Sequence, residues 1–145
     1  MNIKFFNVKD EKYSETLFKI NNDPLARKFS TNTKKISFKK HSIWLKKNLQ
    51  NNKETIYLSV YKNKIIGLIR IKSLRKKKYL SWAIKNNFKG KGLGKRMLKT
   101  FVNKKKNEFF AKIKKNNIPS IKTCEHSGFK KYRENLKYKF YYKSK

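Results

Sequence analysis

Apolar and polar positions along the chain change period several times, and each change marks an element. Residues 2–7 read as a short opening strand. Over residues 11–21, Tyr13, Leu17, Phe18 and Ile20 recur at helical spacing, until Asp23-Pro24 interrupts. Ser37 is the N-cap of a helix predicted to run to about Leu49, with Phe38, His41, Trp44, Leu45 and Leu49 near one face. Thr55–Tyr61 and Ile65–Ile71 are apolar runs separated by Lys62-Asn63-Lys64, the pattern of an antiparallel hairpin, and Tyr79–Ile84 follows as a third strand. Residues 95–106 carry a helical stripe of Met97, Leu98, Phe101 and Val102. Phe109–Ile113 is a strand, Ser120–Ser127 a short helix closed by Gly128, and two aromatic strands cover roughly 129–134 and 138–142. Seven strands and four helices in this order predict a mixed α/β layer structure over residues 1–145, with no linker, repeat or second domain.

Between the third strand and the helix that follows lies Lys89-Gly90-Lys91-Gly92-Leu93-Gly94. Its glycines permit positive φ and close approach of backbone to a ligand. The first N–H groups of the next helix point into the loop without partners, so a phosphate fits there, with Lys89, Lys91, Lys95 and Arg96 around it. Two familiar phosphate loops are excluded. A Walker A loop needs Gly-Lys-Ser/Thr, but Arg96 follows Gly94-Lys95, and Lys95 stands where the dinucleotide fingerprint needs its third glycine.

Composition narrows the partners. Lys and Arg number 41 against 8 Asp and Glu, a formal charge of +33, which points to anionic partners such as phosphorylated metabolites, nucleic acid or a membrane face. The lysines run along the whole chain instead of forming a stripe or an arm, and Lys, Asn, Ile, Phe and Tyr share AT-rich codons. Base composition therefore accounts for most of the charge, and a nucleic-acid-binding module is the weaker reading. No apolar run approaches a membrane span, the N-terminal stretch lacks a secretory h-region, and Cys124 has no disulfide partner. A cytoplasmic protein is expected. With His41 and His126 as its two histidines, no metal site is expected.

Lys89-Gly90-Lys91-Gly92-Leu93-Gly94 resembles the pyrophosphate loop of the GNAT superfamily of acyl-CoA-dependent N-acyltransferases, Arg/Gln-x-x-Gly-x-Gly/Ala, with Lys in the first place. Asn117-x-x-Ser120 leading to Gly128-Phe129 is similar to that family's last-helix segment, and the order of elements agrees over nearly the whole chain. Arg27-x-x-Ser30-x-Asn32, Ile36-Ser37, His41-x-x-Trp44, Ile66-Gly67-x-Ile69-Arg70 and Ser81-Trp82 are similar to bacterial N-acetyltransferases of nucleotide-linked amino sugars. Ribosomal-protein N-terminal acetyltransferases share a related layout.

The resemblance implies a single-domain fold with a mostly antiparallel, twisted sheet, and acetyl-CoA as co-substrate. Backbone groups of Trp82, Ala83 and Ile84 would pair with the pantetheine arm; Lys89–Lys95, Asn117 and Ser120 would complete the cofactor site. A neutral acceptor amine would attack the thioester directly, forming an oxyanion against a backbone N–H. The acceptor implied is a UDP-linked amino sugar; a protein N-terminus, a polyamine or an antibiotic is the alternative, and a homodimer is left open. Arg27, Asn32, His41, Trp44, Arg70 and Ser81 are the candidate acceptor contacts. Cys124 stands where many members of the family carry a Tyr acid, and is either a weak acid or a small buried helix residue. His41 is the remaining titratable candidate, with helix packing or sugar binding as its other reading.

Overall fold

The computed structural model describes residues 2–145. Seven strands form one sheet in the order β1-β2-β3-β4-β5-β7-β6. They are β1 (Lys4–Asn7), β2 (Glu54–Tyr61), β3 (Lys64–Leu74), β4 (Lys77–Ile84), β5 (Phe109–Lys114), β6 (Lys130–Glu134) and β7 (Tyr138–Lys143). Every pairing is antiparallel except β4 with β5. Five helices flank the sheet: α1 (Ser14–Asn21), α2 (Pro24–Phe29), α3 (Phe38–Asn51), α4 (Leu93–Lys105) and α5 (Ile118–His126).

The helix missing from the sequence reading is α2. Asp23-Pro24 does break α1, but it also starts a helix: the Asp23 carboxylate accepts from the amides of Leu25 (3.1 Å) and Ala26 (3.3 Å), and Pro24 takes the first turn, where no N–H is needed. The two hairpin turns are tighter than expected. Lys62-Asn63 and Arg75-Lys76 each adopt positive φ, so β3 starts at Lys64 and runs to Leu74. Helix α4 begins two residues before 95, and this draws Gly94 out of the loop into the helix.

The alternation of side chains across the sheet builds two cores. On one face α4 and α5 bury Met97, Leu98, Phe101, Val102, Ile121 and Cys124 against Ile66, Ile69, Leu80, Phe109, Ala111 and Tyr141. On the other, α1 and α3 bury Leu17, Ile20 and Leu45 against Ile56, Leu58 and Leu68. Two asparagines tie loops to these layers by mimicking backbone. Asn48 donates to the Glu54 carbonyl (2.8 Å) and accepts its amide (2.9 Å); Asn22 does the same with Ile36 (2.6 and 2.9 Å). The Asn22 bracket fixes the segment between α2 and α3 over the end of α1.

Gly67 locks β3 to β4 close to where the sheet parts. A Cβ there would stand 2.3 Å from the Ala83 carbonyl oxygen, a backbone atom that cannot yield without moving β4. Gly67→Ala is expected to destabilise the fold by about 2 kcal/mol, the usual range of overpacking, as read from the urea midpoint.

Candidate active site

Strands β4 and β5 touch at one position of their ladder, Tyr79 opposite Phe110, and then part. Beyond Tyr79 the β5 side of β4 has no strand to bond, while its other side stays paired with β3 through Ile84. Trp82, Ala83 and Ile84 are the residues of that free stretch, all half-buried, with Ser81 exposed beside them. A groove lined by open main-chain donors and acceptors results, and it accepts an extended amide-bearing ligand as a strand would.

At the end of β4, residues 86–88 make a single tight turn, and Lys89-Gly90-Lys91-Gly92 leads into α4. Gly90 and Gly92 have φ of +77° and +74°, and a Cβ built on either meets nothing within 4 Å. The loop therefore presents bare backbone to open space. Gly92 is the N-cap of α4 and no side chain caps the helix, so its first-turn amides stay available to an anion. Gly94 does different work: a Cβ there would come within 3.4 Å of the Ile84 side chain and 3.7 Å of the Thr123 hydroxyl, so it lets α4 lie close to β4 and α5. Lys91 and Lys95 are exposed beside the loop. Asn117 and Ser120 sit together at the start of α5, where the Asn117 side chain caps the Ser120 amide at 3.3 Å.

Lys89 is held elsewhere. Its ammonium donates to Asp23 at 2.7 Å, across from the start of α2. Burial alone would raise the Asp23 carboxyl; the Lys89 hydrogen bond, the Ala26 and Leu25 amides and the Lys89 charge overcome that and hold it below its ordinary range. Asp23 also lines an open pocket of about 270 Å³ with Ile20, Ile84, Lys85 and Asn86, so it joins the α1–α2 turn to the loop after β4. Asp23 carries no motif; the Asp-Pro pair marks its capping role alone.

On the α1/α3 face, Arg70 of β3 stands opposite Ser81 of β4. One Arg70 terminal nitrogen donates to buried Asn21 at 2.5 Å, while its Nε is sealed from solvent with no partner. Arg27 on α2 donates to the Lys34 carbonyl at 3.3 Å, and its Nε is likewise buried and unpaired. Burial lowers the pKa of both guanidiniums; for Arg70 the Glu54 carboxylate opposes this and the Arg27 charge adds to it.

A family model described as the acetyltransferase (GNAT) domain matches residues 5–130. The chain belongs to that family. It is thus an acyltransferase with acetyl-CoA as co-substrate. Solved structures share the fold of this GNAT acetyltransferase. A Campylobacter jejuni N-acetyltransferase, PseH, in complex with acetyl coenzyme A, aligns over 99% of each chain at 24% identity with TM-score 0.75. The spermidine N-acetyltransferase from Vibrio cholerae, in complex with CoA and spermine, aligns over 97% of this chain and 94% of its own at 13% identity and TM-score 0.82. A ribosomal L7/L12 alpha-N-protein acetyltransferase in complex with coenzyme A aligns over 99% and 94% at 15% identity and TM-score 0.81. No curated protein matches the chain significantly in sequence.

Two expected catalytic groups of the acetyltransferase are corrected by their surroundings. His41 is 3% exposed, its Nε2 lies 2.9 Å from the Ser14 carbonyl, and its ring packs among Phe18, Phe38 and Trp44. Burial lowers its pKa, the Ser14 carbonyl opposes this, and the Arg70 charge lowers it further. It is a neutral packing ring between α1 and α3, neither base nor sugar contact. Cys124 is fully buried in the α4/α5 core, and burial pushes its thiol far above the usual range, with Glu125 adding to the shift. A sealed, protonated thiol cannot serve a thiolate in the groove. Trp44 packs against the α1/α3 core, and exposed Asn32 caps the local Lys34 amide. Among the described residues no group of three or more His, Cys, Asp or Glu could hold a metal, and no helix is long and apolar enough to cross a membrane.

Two measurements follow from this geometry. Gly92→Glu puts a side chain on a positive-φ backbone and a carboxylate beside the uncapped first-turn amides of α4, and is expected to raise the CoA Kd by roughly tenfold or more in calorimetry. Wild-type stability is expected to fall as pH drops below about 6.5, because the unfolded histidine takes up its proton before the buried ring does. His41→Gln removes that slope while leaving the shape of the pH–rate profile unchanged, and a profile that loses a limb in His41→Gln refutes the packing role.

Proposed function

We propose that the protein acetylates the amino group of a UDP-linked amino sugar. The observation that carries this reading is a pair of half-buried arginines, Arg70 opposite Ser81 and Arg27 close enough for its charge to lower the Arg70 pKa, each with a buried Nε that has no partner. Among the described residues each guanidinium makes a single hydrogen bond to the protein, and a phosphate beside them would take up charge and donors that the protein leaves unmatched. The same two charges repel a polyamine. The Ile69-Arg70 and Ser81-Trp82 segments, which resemble amino-sugar N-acetyltransferases in sequence, are consistent with this.

In this reading acetyl-CoA enters from the loop end. The amides from Gly90 to Lys95 would hold its diphosphate, with the exposed Lys91 and Lys95 beside it, and Asn117 and Ser120 would border the pantetheine. The pantetheine amides would bond the free edge of Trp82, Ala83 and Ile84, which carries the thioester toward Ser81. The neutral amine attacks the carbonyl carbon, and a β4 amide faces the oxyanion. The added nitrogen loses a proton to water, and the intermediate collapses to the amide and expels the CoA thiolate, which water protonates. A thiol of pKa about 8.5 leaves readily, and an amino sugar loses its proton near neutrality more easily than lysine, so neither step demands a buried acid or base. Positioning in the groove supplies most of the rate.

A thiol-release assay over UDP-4-amino-sugars, peptides, polyamines and aminoglycosides tests the acceptor. Turnover of the UDP-sugar is expected, with Arg70→Gln raising its KM by roughly tenfold, the worth of a charge-assisted hydrogen bond, and leaving the KM for acetyl-CoA unchanged. Turnover of peptides or polyamines alone overturns the acceptor and leaves the acetyltransferase intact.

A further inference from the structure

Six aromatic rings lie together on the face of the sheet opposite α4 and α5, and neither core uses them. Alternation fixes the face. Phe109, Ala111, Ile113 and Tyr141 point into the α4/α5 core, so Phe110 of β5 and Tyr138, Phe140 and Tyr142 of β7 point the other way. Tyr79 of β4 and Tyr132 of β6 join them. Phe110 is the hub, with ring centroids 5.6 Å from Tyr79, 5.1 Å from Tyr142 and 6.1 Å from Tyr132. Phe140 extends the cluster to Tyr132 at 6.4 Å and Tyr138 at 6.5 Å. Tyr132 is its outer ring and is 51% exposed.

Cations lie over these rings: Lys77 over Phe110 at 4.9 Å, Lys112 over Tyr138 at 4.1 Å and Arg133 over Phe140 at 4.2 Å. The acids nearby are engaged, Glu134 with Lys115 and Lys131, Glu108 with the Tyr142 hydroxyl. The surface is therefore aromatic, cationic and without a free carboxylate. It is also continuous with the acceptor groove. Tyr79 is two residues from Ser81 on the same face of β4, roughly 7 Å away, and β3, which carries Arg70, is two strand spacings from β5, roughly 10 Å. The α2 segment reaches across the gap, with the Lys28 carbonyl accepting from Lys114 and the Thr31 hydroxyl from Tyr138.

We infer that the Tyr132–Phe110 surface stacks the nucleobase of the acceptor, one to two strand spacings from the arginines that take its phosphates. This rests on the acceptor being nucleotide-linked, and it adds residues on β5, β6 and β7 to the acceptor site. A base has a π-face for Tyr132, and its phosphates complement the lysines and arginine between the rings.

The probe is UDP without an amine, titrated by calorimetry into the enzyme saturated with CoA, so that the surface is read apart from turnover. Tyr132→Ser, at an exposed edge-strand position, is expected to weaken UDP by roughly tenfold, the size of one base–aromatic stack; Tyr132→Phe restores it, and inorganic pyrophosphate binds all three proteins equally. In the thiol-release assay the KM for the UDP-sugar rises in parallel, and kcat and the KM for acetyl-CoA hold. Equal UDP affinity in wild type and Tyr132→Ser overturns the inference, as does an oligouridylate that binds through Tyr132 while UDP does not. Tyr132-dependent UDP binding combined with turnover of peptides alone leaves the surface standing and sinks the amino-sugar acceptor.

Discussion

A parallel strand pair that bonds at a single position governs the rest of the molecule. Strands β4 and β5 meet at Tyr79 and Phe110 and separate beyond, which leaves main-chain groups of Trp82 to Ile84 without a ladder. An unsatisfied buried amide or carbonyl costs about 1–3 kcal/mol, so the gap stays wet or takes a ligand that can bond like a strand. What keeps it open is that each half has a stronger partner. Strand β4 is zipped to β3 along its whole length, β5 is zipped to β7, and α4 and α5 are packed under the two halves with Gly94 allowing their close approach. Closing the gap would mean breaking one of those ladders.

The charge excess takes on meaning through where the few carboxylates are. Asp23 caps α2 and binds Lys89, Glu134 binds Lys115 and Lys131, Glu125 accepts from Tyr141, and Glu15 pairs with Lys19. Each acid is bound to a neighbour that serves the fold or the surface. Most cations of the described residues have no acidic partner, including Lys91 and Lys95 beside the glycine loop and the half-buried Arg27 and Arg70. Lysines elsewhere on the surface are screened within about 8 Å at physiological salt and contribute a diffuse field. The two arginines are less screened, because they are half-buried and their Nε atoms do not reach water. The distinction between 41 basic residues and the two whose Nε atoms are sealed from solvent cannot be drawn from composition.

Much of the architecture was nonetheless legible in the sequence. The strand–loop–helix unit around residues 79–106 is written in strong local terms: an apolar run, a glycine cluster and an amphipathic stripe, each with its own period. Ser37 was legible as a cap because capping is local chemistry, and its side chain does accept the Lys40 amide. Helix α2 was not, since the residues that break a helix and those that cap the next one are the same kinds. Nor could the pattern separate Gly94 from Gly90 and Gly92, because it takes the neighbours Ile84 and Thr123 to say that one glycine serves packing and the others conformation. His41 and Cys124 misled for a related reason. Titratable side chains are chosen from sequence by chemical capacity, whereas burial, which only tertiary structure reveals, decides whether that capacity reaches a reactant.

The removal of those two groups from the groove bears on how the reaction runs. Burial stabilises the neutral form of both the His41 imidazole and the Cys124 thiol, and no acid occurs between Leu80 and Lys85 to replace them. Under the proposed acceptor this is coherent chemistry. An amine of modest basicity sheds its proton to water, a thiolate is a stable leaving group, and the remaining demand is charge stabilisation at the carbonyl oxygen, for which the free β4 amides are suited. The same open edge that would seat the pantetheine arm would thus provide the donor for the oxyanion, so a fold that leaves one side of β4 without a ladder needs few side chains for acetyl transfer. Selectivity for the acceptor then has to come from outside the reacting centre, from groups that grip parts of the substrate that do not react. In the proposed acceptor site, Arg27, Arg70 and the aromatic surface beyond Tyr79 would do that work.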